Sequence, residues 1–154
     1  MSTPRYFHSH NLRRGRHSEC GRSYLITVAV DHRQPILSNF FVGRLLVAEL
    51  RLVAELGWVD SLAWVVMPDH WHWLVTLREA TLAELMQRVK GRSARSINQA
   101  LDRAGRLWQA GYHEHALRTE EDMQAVARYL VANPLRAGLV KRVGDYPLWD
   151  AVWL

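Results

Sequence analysis

The sequence predicts an α+β fold, a split βαβ, ferredoxin-like antiparallel sheet with the element order β-α-β-β-α-β-α. Three observations carry this prediction. Two runs rich in β-formers, Leu62 to Met67 and His70 to Leu77, flank Pro68 and Asp69 and read as a tight central hairpin. A capped amphipathic stretch lies on each side of that hairpin and separates it from a further β-rich run. A third capped helical stretch, after the last β-rich run, completes the order.

The first strand is Ser23 to Val30, SYLITVAV, bounded by Gly21 and by the stretch from Asp31 to Pro35. Ser38 or Asn39 can cap a helix that runs to Leu56 on the apolar residues Phe41, Leu45, Leu52 and Leu56, with a stop at Gly57. After the hairpin, Thr81 with Glu84 is a capping box. It opens a second helix carried by Leu82, Leu85, Met86, Val89, Ile97 and Leu101 and ending near Gly105. Leu107 to Leu117 is expected as a fourth strand across Gly111. Thr119 with Asp122 caps a third helix whose core stripe is Met123, Val126, Ala127 and Leu130. A short helical turn and a tail with Trp149 and Trp153, expected to pack on the body, end the chain.

With 154 residues, the chain is most economically one domain, 1–154, comprising a basic arm over 1–22 and a tail over 141–154. Hydrophobic residues make up 49% of it and include seven tryptophans, enough for a sizeable core. That length is short of the roughly 200 residues a (β/α)₈ barrel needs, which argues against a barrel metallohydrolase. A formal net charge of +5 and a pI near 9.9 favour a polyanionic partner, nucleic acid before membrane. Cys20 is the single cysteine, so neither an intramolecular disulfide nor a cysteine zinc clip is expected, and a reducing cytoplasm is the default. The polar, basic start has no apolar core of a leader, and no run approaches the 18 or so apolar residues of a span. The expectation is a cytoplasmic protein with no membrane partner.

The stretch Met67 to Val75, MPDHWHWLV, carries the chemistry. His70 and His72 leave the same face of their strand, about 6.6 Å apart along it, a spacing at which two imidazoles can share one metal ion. Trp71, Trp73, Val75 and Leu77 take the alternate positions and are expected on a buried face. Alone, such a pair is more often ordinary half-buried histidine than a metal site. Later in the chain Tyr129 and Asn133 fall four apart on one flank of the third helix, so their side chains can meet. The plainer reading is a packing tyrosine and a helix end before Pro134. Together, a metal-bound histidine pair, a tyrosine and an amide oxygen suit phosphoryl transfer on a nucleic acid, with tyrosine as covalent nucleophile. His113 and His115 share one face of the expected fourth strand, where solvent or neighbouring side chains are the first expectation.

VMPDHWHWLV, followed by RLWQAGYHEHALRTEEDMQAVARYLVANPLRAGLV, resembles the REP-associated tyrosine transposases, a branch of the single-tyrosine HUH transposases. The likeness runs from Ser23 to Val140, and it is the combination of the histidine pair with Y-x-x-x-N-P-x-R-A-G-L-V that makes it specific. The resemblance implies a ferredoxin-like catalytic domain, a Mg²⁺ or Mn²⁺ ion, and cleavage and strand transfer of single-stranded DNA at hairpins of repeated extragenic palindromes. His70 and His72 match the HUH pair, Tyr129 the nucleophile that forms a 5′-phosphotyrosine link, and Asn133 the third ligand, where insertion-sequence relatives carry glutamine. Asp69 departs from the family's usual asparagine. Candidate phosphate contacts are Arg13, Arg14 and Arg16 of the arm, Arg88, Lys90, Arg92 and Arg95 on the second helix, and Arg136. The alternative expectation is a DNA-hairpin-binding protein without catalysis, and either a monomer or a homodimer suits the family.

Overall fold

The computed structural model describes residues 6–7 and 20–153. One antiparallel sheet organises them, with strands in the order β1-β5-β2-β4-β3-β6. These are β1 (Tyr6–Phe7), β2 (Ser23–Ala29), β3 (Val59–Val66), β4 (His70–Leu77), β5 (Tyr112–Leu117) and β6 (Trp149–Ala151). The inner four give the expected split βαβ topology. Helix α1 (Phe40–Glu55) links β2 to β3 across β4, and α2 (Leu82–Ala100) links β4 to β5 across β2.

The expected start signals act as capping groups. Asn39 Oδ1 accepts the amides of Phe41 and Val42 at 2.9 and 3.3 Å, and Thr81 and Glu84 close a reciprocal capping box. The Thr119 hydroxyl accepts from the amide of Asp122 at 3.1 Å and opens α3 (Glu120–Val131). Pro134 stands in the first turn of α4 (Asn133–Arg136), where a missing amide hydrogen leaves no bond unmade, so the chain turns helical again through Asn133.

Alternation along β4 divides the molecule into two cores. Trp71, Trp73, Val75 and Leu77 are fully buried and pack with Ile26, Val28, Trp64 and Val66 beneath the apolar stripes of α1 and α2. On the opposite face Leu74, Ala63, Val65 and Met67 meet Ala127, Leu130 and Val131 of α3. His70 and His72 belong to this second face, beyond the end of the α3 patch.

Several boundaries differ from expectation, among them β3, which starts at Val59, three residues before the expected Leu62, and ends at Val66. The fourth strand begins at Tyr112, because Gly111 is in the left-handed region at φ +73° and redirects the chain. Trp108 contributes only an isolated bridge to Val30. Helix α2 stops at Ala100, where Asp102 at φ +48° and Gly105 at φ +93° turn the chain and Asn98 Nδ2 donates to the Gly105 carbonyl at 3.0 Å. The tail does more than pack: β6 pairs with the free edge of β3, and the Tyr146 hydroxyl donates to the Val66 carbonyl. Gly43 of α1 admits this tail, since a Cβ there would lie 2.5 Å from Leu148 Cδ1. Within the basic arm, Tyr6–Phe7 forms an edge strand on β5. Arg13, Arg14 and Arg16 lie outside the described residues.

The two core tryptophans differ in one respect. Trp73 Nε1 donates to Ser61 Oγ at 2.9 Å, whereas Trp71 Nε1 is buried with no hydrogen-bond partner among the described residues. Trp71→Ala is expected to cost about 3–5 kcal/mol in urea denaturation. Trp71→Phe is expected to cost less than Trp73→Phe, because only the latter breaks a bond made inside the core.

Candidate active site

The site begins at the hairpin turn. Met67 N–H donates to the His70 carbonyl at 2.8 Å across Pro68 and Asp69, so His70 is the first residue of β4. The imidazoles of His70 and His72 stand 4.9 Å apart between centroids with planes at 81°, close enough for both to serve one ion. Each has its Nδ1 occupied. His70 Nδ1 lies 2.7 Å from Asp69 Oδ1, and an ionised carboxylate only accepts, so that nitrogen carries a proton, and in the neutral ring the lone pair is at Nε2. His72 Nδ1 lies 2.7 Å from Thr27 Oγ1, directly across the β2–β4 pairing. A hydroxyl can play either role, and when Nδ1 donates to Thr27 the Nε2 of His72 is bare as well.

Electrostatics keep His72 in the neutral form a metal needs. Burial pushes His72 down to about 3, and the charges of His70, Arg136, Arg33 and His113 add to that. His113 on β5, two strands away through Thr27, is also lowered by burial. Burial alone would raise Asp69. The hydrogen bonds from His70 and Arg33 outweigh it, and the carboxyl ends below its ordinary value.

Tyr129 near the end of α3 is half exposed. Arg136 joins it to Asn133: its guanidinium carbon stands 3.7 Å from the centre of the Tyr129 ring, and its Nη2 donates to Asn133 Oδ1 at 3.1 Å. The same arginine is near enough to His72 for its charge to depress that imidazole. Arg136 thus links Tyr129 and Asn133 across the junction of α3 and α4. Among the described residues no group of three or more His, Cys, Asp or Glu could hold a metal ion. The chemistry of the two imidazoles, each anchored through Nδ1, nevertheless fits a metal ion.

The remaining predicted contacts lie elsewhere. Helix α2 packs on the tryptophan face, so its basic residues are behind the sheet from the histidines. Lys90, expected on the exposed side, instead donates to the carbonyls of Gln109 and Gly111 at 2.9 and 2.6 Å, where burial first and Arg106 second push it down to about 8. Arg88 stacks over Trp58 at 5.1 Å with a buried Nε. Arg92 pairs with Glu49 at 3.3 Å, and Arg95 is exposed. Sequence reasoning missed Thr27 and Arg33. Thr27 could have been found only from the strand register, and Arg33 has no signal in the pattern of residues.

A ferredoxin-like sheet with a His-x-His pair on its central strand and a tyrosine on the helix that covers that face is the arrangement expected of an HUH transposase. The chain belongs to the IS200-like transposase family, since the family profile described as "Transposase IS200 like" matches residues 21–133, most of its length. It is 31% identical over 87 residues, 55% of this chain and 50% of the relative, to a REP-associated tyrosine transposase of Escherichia coli. The match therefore spans half the length of that relative. A second relative, provisionally given the same name in Haemophilus influenzae, is 28% identical over 138 residues, 82% of this chain and 78% of its own. Among solved structures, a REP-associated tyrosine transposase bound to a REP hairpin aligns with a TM-score of 0.71 at 24% identity, covering 97% of this chain and 82% of that one. A provisionally named transposase from Deinococcus radiodurans aligns at 0.53 and 24% identity, over 70% and 86%. At these identities the structural likeness speaks for the fold. The resemblance to the REP-associated branch drawn from the sequence is borne out by the family and the relatives. Among the described residues no helix is long and apolar enough to cross a membrane.

Burial of a neutral His72 has a consequence for stability. In the unfolded chain the imidazole titrates near its ordinary 6.5, in the folded chain at about 3. Between those values only the unfolded chain takes the proton, so stability is unaffected above pH 6.5 and falls as the pH drops towards 3. Urea titrations are expected to show a loss of up to about 2 kcal/mol from this group between pH 7 and pH 5. His72→Gln, which keeps a polar partner for Thr27, is expected to lose that part of the slope.

Proposed function

We propose that the protein is a single-stranded DNA endonuclease and strand transferase acting on REP-type hairpins, with Tyr129 as nucleophile. The observation that carries this reading is the pair of imidazoles on β4, each bonded through Nδ1, on the face that α3 covers, with Arg136 joining Tyr129 to Asn133 at the end of that helix. Binding alone would need none of these groups.

In this reading the Tyr129 oxygen gives up its proton and attacks the scissile phosphorus, a P–O bond to Tyr129 forms, the bond to the 3′ oxygen breaks, and that oxygen takes up a proton. The products are a 5′-phosphotyrosine ester and a free 3′ hydroxyl. The ester conserves the energy of the phosphodiester, so a second 3′ hydroxyl can reverse the step and join a new strand. His70 and His72, with Asn133 as third donor, would hold a Mg²⁺ or Mn²⁺ ion that polarises the phosphoryl oxygens. Arg136 steers the tyrosine ring and offers its guanidinium to the phosphate, which can draw it away from Asn133 Oδ1. Asp69 sets the tautomer of His70, and Asp69 and Thr27 together hold the two rings in place through Nδ1.

The basic charge supports a polyanionic partner. Arg136 is a candidate contact at the reacting phosphate. Arg92 and Arg95 on α2 are candidates for the duplex stem of a hairpin that reaches round the sheet edge. Arg13, Arg14 and Arg16 are further candidates by charge. The REP hairpin is taken from the names of the relatives and of the structural neighbour.

The deciding experiment mixes the protein with labelled single-stranded hairpins from the DNA flanking its gene, with and without Mn²⁺, and resolves the products on a denaturing gel. A metal-dependent protein-linked band that disappears in Tyr129→Phe, with hairpin binding nearly unchanged, is expected. Binding without an adduct under any metal would favour the hairpin-binding protein without catalysis. Replacing Arg92 and Arg95 by Ala is expected to weaken binding and lower the slope of log K against log salt by about 1 for each lost phosphate contact. An unchanged slope would remove them from the interface.

A further inference from the structure

We propose that Arg33 is a positioning residue for the histidine pair, holding the Asp69 carboxylate so that Asp69 keeps His70 protonated at Nδ1 and bare at Nε2. The inference rests on the reading of His70 and His72 as metal ligands and extends it to a residue outside the family motif.

Arg33 Nε donates to Asp69 Oδ2 at 2.9 Å, and Asp69 Oδ1 lies 2.7 Å from His70 Nδ1. One carboxylate therefore has each oxygen engaged by a different partner. Without Arg33 it could rotate away from the ring or present the wrong lone pair. A fixed carboxylate behind a ligating histidine sets its tautomer, its orientation and its basicity.

The backbone supplies the second, independent observation. His32 and Arg33 both occupy the left-handed region, at φ 57° and 53°, which disfavours side chains with a Cβ. Two such residues in succession mark strain, and strain persists where the surroundings over-determine it. Here they do so visibly. Val30 N–H donates to the Asp69 carbonyl and Leu37 N–H to the Pro68 carbonyl, both at 2.9 Å, which stitches the segment between β2 and α1 onto the hairpin turn. Arg33 N–H donates to the Val30 carbonyl at 2.8 Å and closes the strained turn.

The stability gained from the ion pair does not account for this strain. The Arg33 side chain is 55% exposed and that of Asp69 28%, and such solvent-facing ion pairs contribute little to folding. What the arrangement secures is the placement of a guanidinium against the outer oxygen of Asp69, and through it the ring of His70.

The test compares wild type with Arg33→Gly, Arg33→Lys and His32→Gly in the full chain. Glycine takes the left-handed backbone without strain, so Arg33→Gly is expected to fold with an unchanged or higher thermal midpoint. In the metal-free protein, the ¹⁵N shifts of the His70 ring are expected to show Nδ1 protonated in wild type and a mixture of tautomers in Arg33→Gly. Binding of Mn²⁺ alone, followed by its EPR signal, is expected to weaken about 10–100-fold in Arg33→Gly, with partial recovery in Arg33→Lys. His32→Gly should raise the midpoint and leave both readouts unchanged. Wild-type ring shifts and wild-type Mn²⁺ affinity in Arg33→Gly would overturn the proposal. If Mn²⁺ binds equally to wild type and to His70→Ala and His72→Ala, the metal reading fails, and the metal-free ring shifts still decide whether Arg33 positions His70.

Discussion

The register of β4 is the constraint on which the rest of the structure depends. It is the inner strand that pairs with both β2 and β3, and its two-residue period sends Trp71 and Trp73 into one core and His70 and His72 to the other face. A slip of one residue would put imidazoles under α1 and α2 and tryptophans on the site. Burial of two indoles makes that slip costly, and the Trp73–Ser61 bond beside the irregularity between Ser61 and Ala63 pins the hairpin further. The placement of the histidines is thus secured by the hydrophobic residues between them.

The second face of the sheet serves two purposes at once. Its apolar part, around Leu74, Val65 and Ala63, seats α3 and fixes where that helix ends. Its polar part, at the hairpin end, holds the histidines with Thr27 beside them. Because α3 is seated on one part, Tyr129 and the following turn are delivered beside the other. Arg136 lies over the Tyr129 ring and donates to the Asn133 amide oxygen, and its charge adds to the lowering of His72.

On the tryptophan side, by contrast, the polar groups complete structure. Lys90 ties the carbonyls of Gln109 and Gly111 to α2, Trp108 Nε1 donates to the Lys90 carbonyl and to Ser93 Oγ, and Arg88 covers Trp58. A run of basic residues on an amphipathic helix looks like a phosphate surface when only charge is counted. The fold turns Lys90 inward, where it supplies donors to the Gln109 and Gly111 carbonyls at the entry to β5, and lays Arg88 over Trp58.

The sequence by itself determined the order of elements, the helix starts, the hairpin turn, and the residue types able to do chemistry, because these depend on local backbone geometry and on periodicity. Thr81 and Thr119 cap their helices as read, Asn39 is the cap of α1 out of the two candidates Ser38 and Asn39, and alternation in HWHWLV sorted buried from polar residues. Strand and helix ends set by Gly111 and Asp102, and the strand at Trp149–Ala151, escaped it, since left-handed turns and edge pairing answer to distant partners. Tertiary structure alone decided which groups meet. Thr27 reaches His72 through strand register, Arg33 reaches Asp69 through a strained loop folded against a turn 36 residues away, and Arg136 lies over Tyr129 because the chain resumes a helix through Pro134. Such contacts depend on how separate elements pack, and linear spacing carries no record of that.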